Sequence, residues 1–202
     1  MAHELLEETS ALNLPMSVDI HSLHLTDEQF YQLCLDNSDL RFELTSKGEL
    51  IIMPPTGYST GWSNSKLIYQ LTDWTLKDGT GRSFDSSTLF VLPNGAKRSP
   101  DACWVSLDRA AKLTDKEKKG FAPVCPNFVV ELRSPSDSLQ SLQEKMNEYI
   151  ENGSELGFLL DPSSKSVYIY RPGRPVEHLE NPDTVSGDPV LPGFVLQVRE
   201  IW

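Results

Sequence analysis

The chain has 202 residues, 39% of them apolar and 23% charged, enough for one ordinary globular domain with a sizeable core and cramped for two. Its formal net charge of −11 excludes indiscriminate attraction to nucleic acid, because phosphate binding rests on Lys and Arg displacing counterions. Any action on nucleic acid would need locally concentrated positive charge, metal ions bridging to phosphate, or a second subunit. No apolar run approaches the roughly 20 residues of a membrane-spanning helix, and residues 1–15 carry Glu4, Glu7 and Glu8 where a signal peptide would carry Lys or Arg. A cytoplasmic protein is the expectation.

Residues 1–22 are acidic and without clear periodicity, which predicts a loosely ordered lead-in. Thr26-Asp27-Glu28-Gln29 has the form of a capping box, and Phe30, Leu33 and Cys34 follow at helical spacing to about Asn37. Residues 41–45, a turn at Ser46-Lys47-Gly48 and residues 49–53 read as a β-hairpin. After the break at Pro54-Pro55-Thr56-Gly57, residues 59–77 place Leu67, Leu71 and Trp74 on one helical face, and Asp78-Gly79-Thr80-Gly81 ends that helix. Short β-like runs follow at 82–85 and 88–92, then the turn Pro93-Asn94-Gly95 and a strand over 101–105. The Lys-rich span 112–119 reads as a solvated excursion.

Residues 127–133 form the most strand-like run, and its near-continuous apolarity predicts a central strand buried on both faces. Ser134-Pro135-Ser136-Asp137 stops it and leads into a helix over about 138–151, with Leu139, Leu142, Met146, Tyr149 and Ile150 on its core face and Asn152-Gly153 closing it. Residues 156–160, a turn at Asp161-Pro162, residues 167–170 and a Pro/Gly-rich tail with 194–198 complete the chain. The three cysteines, Cys34, Cys103 and Cys125, match neither a disulfide framework nor a zinc site, so all three are expected reduced, Cys103 and Cys125 as core fillers. The histidines (His3, His21, His24, His178) are too scattered for a His-based metal site or a Ser/His/Asp triad, and the glycines show no phosphate-loop or dinucleotide pattern.

Three residues stand out chemically. Strand alternation puts Val129, Glu131 and Arg133 on one face, so a carboxylate sits inside an apolar strand and needs a cation, a hydrogen-bond set or a metal. Arg133 or another cation could satisfy Glu131 with no function implied. Pro100-Asp101 sets a second carboxylate at the entry to another strand, where two acids on neighbouring strands can share a divalent ion; taken alone, Asp101 reads as a turn or strand-end cap. Lys145 lies between Leu142 and Tyr149 at the edge of the core-facing arc, able to lean inward toward a scissile phosphate or to keep its ammonium in water. Glu43, two residues beyond Arg41, reads either as an outer-face charge or as a supporting acid, and Tyr149 as core.

Taken in order, Phe42-Glu43-Leu44 with Gly48-Glu49-Leu50, Ser99-Pro100-Asp101, Val130-Glu131-Leu132-Arg133-Ser134-Pro135-Ser136-Asp137, then Lys145, Tyr149 and Gly153, resemble the Uma-two family of putative restriction endonucleases, a bacterial branch of the PD-(D/E)xK nuclease superfamily. The resemblance runs from about Phe42 to Phe194. It implies a restriction-endonuclease-like α/β core over residues 23–202, a central mixed β-sheet flanked by helices, with Mg²⁺ or Mn²⁺ held by Asp101 and Glu131 and DNA phosphodiesters hydrolysed. It also implies that Glu43 is the early acid that completes such sites. One departure is that Arg133 stands where the superfamily has a lysine two residues after the glutamate; arginine holds its charge permanently and is a poor proton acceptor. The resemblance carries the lysine role to Lys145 on the helix, leaving Asp101, Glu131, Lys145 and Arg133 as the expected catalytic set, with Glu43 and Tyr149 supporting. Two other functions fit the sequence: a catalytically inactive nuclease-fold interaction module, which the acidic charge favours, and a metal-dependent hydrolase of small phosphoesters. A homodimer would ease both the charge balance and two-strand cleavage.

Overall fold

A computed structural model describes residues 16–202. Part of the expected lead-in is ordered structure: strand β1 (Met16–Asp19) pairs antiparallel with β3 (Glu49–Met53), while residues 1–15 lie outside the described residues. Most of β1 is exposed, so backbone pairing rather than side-chain burial holds it, and no alternation betrays it in the sequence. Helix α1 (Asp27–Asp36) begins on the expected capping box: Thr26 Oγ1 accepts the Gln29 N–H at 3.2 Å and Gln29 Oε1 accepts the Thr26 N–H at 2.9 Å. Strand β2 (Arg41–Leu44) and β3 form the hairpin, turned by Gly48 at φ +86°, where an added Cβ would also strike His21. The short run expected over 88–92 is β5 (Phe90–Val91), and with β6 (Lys97–Arg98), which the sequence did not signal, it extends this first sheet in the order β1-β3-β2-β6-β5.

The second sheet runs β11 (Glu177–Glu180), β10 (Ser166–Tyr170), β9 (Leu156–Asp161), β8 (Phe128–Leu132), β7 (Ala102–Ser106), β4 (Gly81–Asp85). Every pairing is antiparallel except β8 with β9, which are joined through helix α4 (Leu139–Glu151), the crossover that parallel neighbours require. All residues of β8 and β9 are buried, as expected for strands covered on both faces. On one face the long helix α2 (Tyr58–Asp78) sets Leu67 and Leu71 against Trp104, Phe128, Val130, Phe158 and Leu160, with Phe194, Leu196 and Ile201 of the C-terminal segment beside them. On the other, Met146 and Tyr149 of α4 pack on Cys103, Val129 and Leu159. This is the mixed sheet flanked by helices that the resemblance implied.

The Lys-rich excursion is preceded by a short helix, α3 (Leu107–Ala110), capped by the Ser106 hydroxyl accepting the Arg109 N–H. Three further short pieces, β11, Val185–Ser186 and Val195–Leu196, pair locally. All three cysteines are free, and Cys103 and Cys125 are buried. Among the described residues no helix is long and apolar enough to cross a membrane.

Candidate active site

Glu131 lies one residue from the carboxyl end of β8, where ligands of open α/β sheets commonly bind. Ala102 of β7 faces Val130 in the antiparallel register, so the next step outward sets Asp101 opposite Glu131. Opposed residues point to the same face, here the α4 face shared by Cys103 and Val129. Asp101 is anchored there by the Leu132 backbone N–H, which donates to Oδ2 at 2.7 Å. Pro100 leaves the ladder free at that point, so the Asp101 carboxylate takes up the β8 amide itself.

Helix α4 closes over these acids. Lys145, at the edge of the core-facing arc, leans inward and is nearly buried; its Nζ is 2.9 Å from Glu131 Oε1 and 2.9 Å from Glu43 Oε1. One turn on, the Tyr149 hydroxyl donates to the same Glu131 oxygen at 3.1 Å. Glu43, reaching in from β2 of the first sheet, is only 2% exposed. It also accepts from the Ser99 N–H at 2.8 Å and from Arg98 Nη1 at 3.0 Å. Arg98 in turn holds Glu148 at 2.6 Å. The structure therefore brings together Asp101, Glu131, Lys145, Glu43 and Tyr149, and adds Arg98 and Glu148, which sequence reasoning missed. A basic pair, Lys97-Arg98, immediately before Ser-Pro-Asp in so acidic a chain was the available signal for Arg98. Glu148, three residues beyond Lys145, had the helical spacing of a neighbour.

Arg133 does not join this set. It falls just past the end of β8 and pairs through Nη1 with the buried Asp161 at 2.7 Å while Nε donates to the Asp137 carbonyl at 3.1 Å. That pairing clamps the ends of β8 and β9 and occupies the guanidinium away from the Glu131 cluster.

Four carboxylates (Glu43, Asp101, Glu131, Glu148) surround two cations (Arg98, Lys145), a deficit of two charges when all are ionised. The proton affinities follow. Burial pushes Asp101 up to about 6 despite the Leu132 N–H and Lys145, and Asp137 and Glu43 add to the push. Burial pushes Glu131 up to about 8, against the pull of Lys145, with Asp101 and Glu43 raising it further. Burial works against Glu43 too, but Lys145 and Arg98 outweigh it and hold its carboxyl below the ordinary range. The Lys145 ammonium is disfavoured by burial yet held above its ordinary range by Glu131 and Glu43. The two acids beside Lys145 thus shift in opposite senses: the one ammonium lies between both, and Glu131, which lacks the arginine that Glu43 has, is the acid left to take a proton.

That deficit and the oxygen donors suit a hard divalent cation. Among the described residues no three His, Cys, Asp or Glu side chains are grouped to cage a metal ion, so a cation between Asp101 and Glu131 would complete its shell with water and substrate oxygens, the habit of Mg²⁺. Surface hollows of about 410 and 320 Å³ lie elsewhere, beside Arg109 and Cys125 and beside His21 and Ser46, and the acids line neither.

A mixed sheet with helices on both faces and an acidic cluster at the end of its parallel pair defines a nuclease-like α/β fold. It is similar to the crystal structure of a putative nuclease belonging to DUF820 from Anabaena variabilis, with a TM-score of 0.73 and 19% identity over 88% of this chain and 97% of that one. No curated protein matches the chain. The sequence model of the Uma2 family, described as putative restriction endonucleases, matches residues 27–199, and the chain belongs to that family.

Proposed function

We propose that this protein is a divalent-metal-dependent DNA endonuclease whose working acids are Asp101 and Glu131. The observation that carries the reading is the pair of carboxylates facing each other at the entry to β7 and the end of β8, Glu131 buried and Asp101 half-buried, both raised in proton affinity, in a cluster two positive charges short. Gathering four acids around two cations costs stability, whereas a cation-binding site requires such a surplus. Bound Mg²⁺ or Mn²⁺ would supply Lewis-acid polarisation of the phosphate and a nucleophile at neutral pH. The chain's own groups do the rest. Lys145, secured by Glu43 and Glu131, holds a fixed ammonium beside the reacting phosphate, where a developing negative charge is stabilised without reorganisation. Tyr149 orients Glu131 through its hydroxyl, and Arg98 orients Glu43, which in turn aims Lys145.

The alternative, an inactive interaction module on the same fold, draws on the completeness of the ion pairing around Glu43, which is satisfied by Lys145, Arg98 and the Ser99 N–H. Incubation with supercoiled plasmid in Mg²⁺, Mn²⁺ or chelator distinguishes the two: cleavage that needs the metal and is lost in Asp101→Asn supports the endonuclease. Absence of cleavage in every metal, with no metal-induced stabilisation, supports the module.

A further inference from the structure

Helix α2 buries Leu67, Leu71 and Thr75 against the sheet and carries a second, outward stripe: Tyr58 (93% exposed), Trp62 (60%), Tyr69 (70%) and Leu76 (80%). At 100° per residue these four fall within a narrow arc opposite the buried face, and Trp62, Tyr69 and Leu76 are spaced by sevens, the repeat of a helix that packs on another helix. No element of the described residues covers them. Solvated helix faces are ordinarily polar, and a continuous aromatic stripe along a 21-residue helix exceeds the scattered apolar residues of a monomer surface.

We propose that this face is a homodimer interface, in which α2 packs antiparallel on α2 of a second copy about a twofold axis near Tyr69 and Gln70. The stripe is self-complementary in three respects. Centred there, an antiparallel pair sets Tyr69 against its own counterpart and brings Trp62 toward Leu76 of the second copy. Lys66 and Asp73 lie on one flank of the stripe, equidistant from that centre, and in an antiparallel pair each flank meets its own counterpart, so Lys66 of each copy faces Asp73 of the other. Their contacts within the chain are exposed ones: Lys66 lies over the Trp62 ring at 5.1 Å and donates to the Glu200 carbonyl, and Asp73 pairs with Lys77 at 2.6 Å, contacts that at a surface are weak enough to be exchanged. Third, three aromatics and a leucine at these exposures would bury roughly 600 Å² per copy, which reaches the lower bound of a stable interface, about 1,200 Å² in total. The balance of Lys66 and Lys77 with Asp73 and Asp78 argues for a protein partner over a phosphate backbone, which needs an excess of positive charge. This inference stands independently of the proposed endonuclease activity.

Sedimentation of the full chain at micromolar concentration tests it. The expected mass is twice 22.7 kDa. Trp62→Glu with Tyr69→Glu, both at exposed positions, should yield a monomer of unchanged circular dichroism, its dissociation constant raised at least about 100-fold. Lys66→Glu should weaken the dimer and Lys66→Glu with Asp73→Lys restore it. A monomeric parent chain overturns the proposal, whether Trp62 then proves open to quencher or covered by residues 1–15 or by nucleic acid. So does a dimer that survives the double Glu variant.

Discussion

Replacing Glu131 by Gln should stabilise the metal-free protein while abolishing its response to metal. Burial raises this carboxyl from its ordinary 4.5 to about 8, so at pH 7 the folded state must either protonate it or bear a buried charge, at a cost of about 3 kcal/mol set by the interval from 4.5 to 7. Gln keeps an oxygen for the Tyr149 hydroxyl, and Lys145 keeps Glu43 as partner. Allowing about 1 kcal/mol or more for imperfect hydrogen bonding of the buried amide, the net gain is about 1–2 kcal/mol, or a melting temperature higher by about 3–6 °C for a chain of this size. A raised carboxyl contributes stability that is complete below about 4.5 and lost as pH rises through about 8. The difference between variant and parent should therefore vanish near pH 4, grow through neutrality and level off above pH 8. Urea unfolding in chelator across that range measures it. Addition of Mn²⁺ at 100 times its dissociation constant should then raise the parent by about 2.7 kcal/mol and leave the variant where it was. If Glu131→Gln instead loses more than about 1 kcal/mol at pH 7 in chelator, the cluster is a satisfied polar core and the reasoning from charge deficit fails.

The remaining tests concern the cations and the substrate. Lys145→Met should lower plasmid cleavage by at least about 100-fold, the scale of losing one oxyanion donor, while Mn²⁺ still raises the melting temperature; parental cleavage would remove Lys145 from the reaction. Arg133→Ala should cost about 1–3 kcal/mol through loss of its pair with buried Asp161, with cleavage per folded molecule nearly unchanged; loss of cleavage with full stability would make Arg133 the functional cation. Duplex binding should be weak in chelator, stronger in Ca²⁺ and steeply salt-dependent, as a chain of net charge −11 demands; tight, salt-insensitive binding in chelator contradicts this.

The buried strand, the capping box, the hairpin and the two long helices were legible because each is a local pattern: apolar runs, periodic faces, turn and cap residues. Asp101, Glu131 and Lys145 were legible as charges in places where charge is expensive or can turn inward, and their order matched a family. Arg98 and Glu148 were not, because each looks like an ordinary surface charge until β6 and α4 meet, a contact between residues 50 apart in the chain. The pairing of Arg133 with Asp161 was not legible because it forms only once β8 and β9 lie side by side. Strand β1 was hidden because its stability lies in backbone bonds to β3, which side-chain pattern does not report.

Helix α2 and the acidic cluster occupy opposite faces of the same sheet. Two copies joined through α2 would stand back to back, their sheets on the order of 30 Å apart given helix and sheet spacings of about 10 Å, with each set of acids turned outward. Such an assembly cannot bring both sites to one cleavage point. It would hold two separate stretches of duplex, break one strand in each, and so release nicked circles from a plasmid before any linear form, acting as a tether between DNA segments as well as a cutter of them.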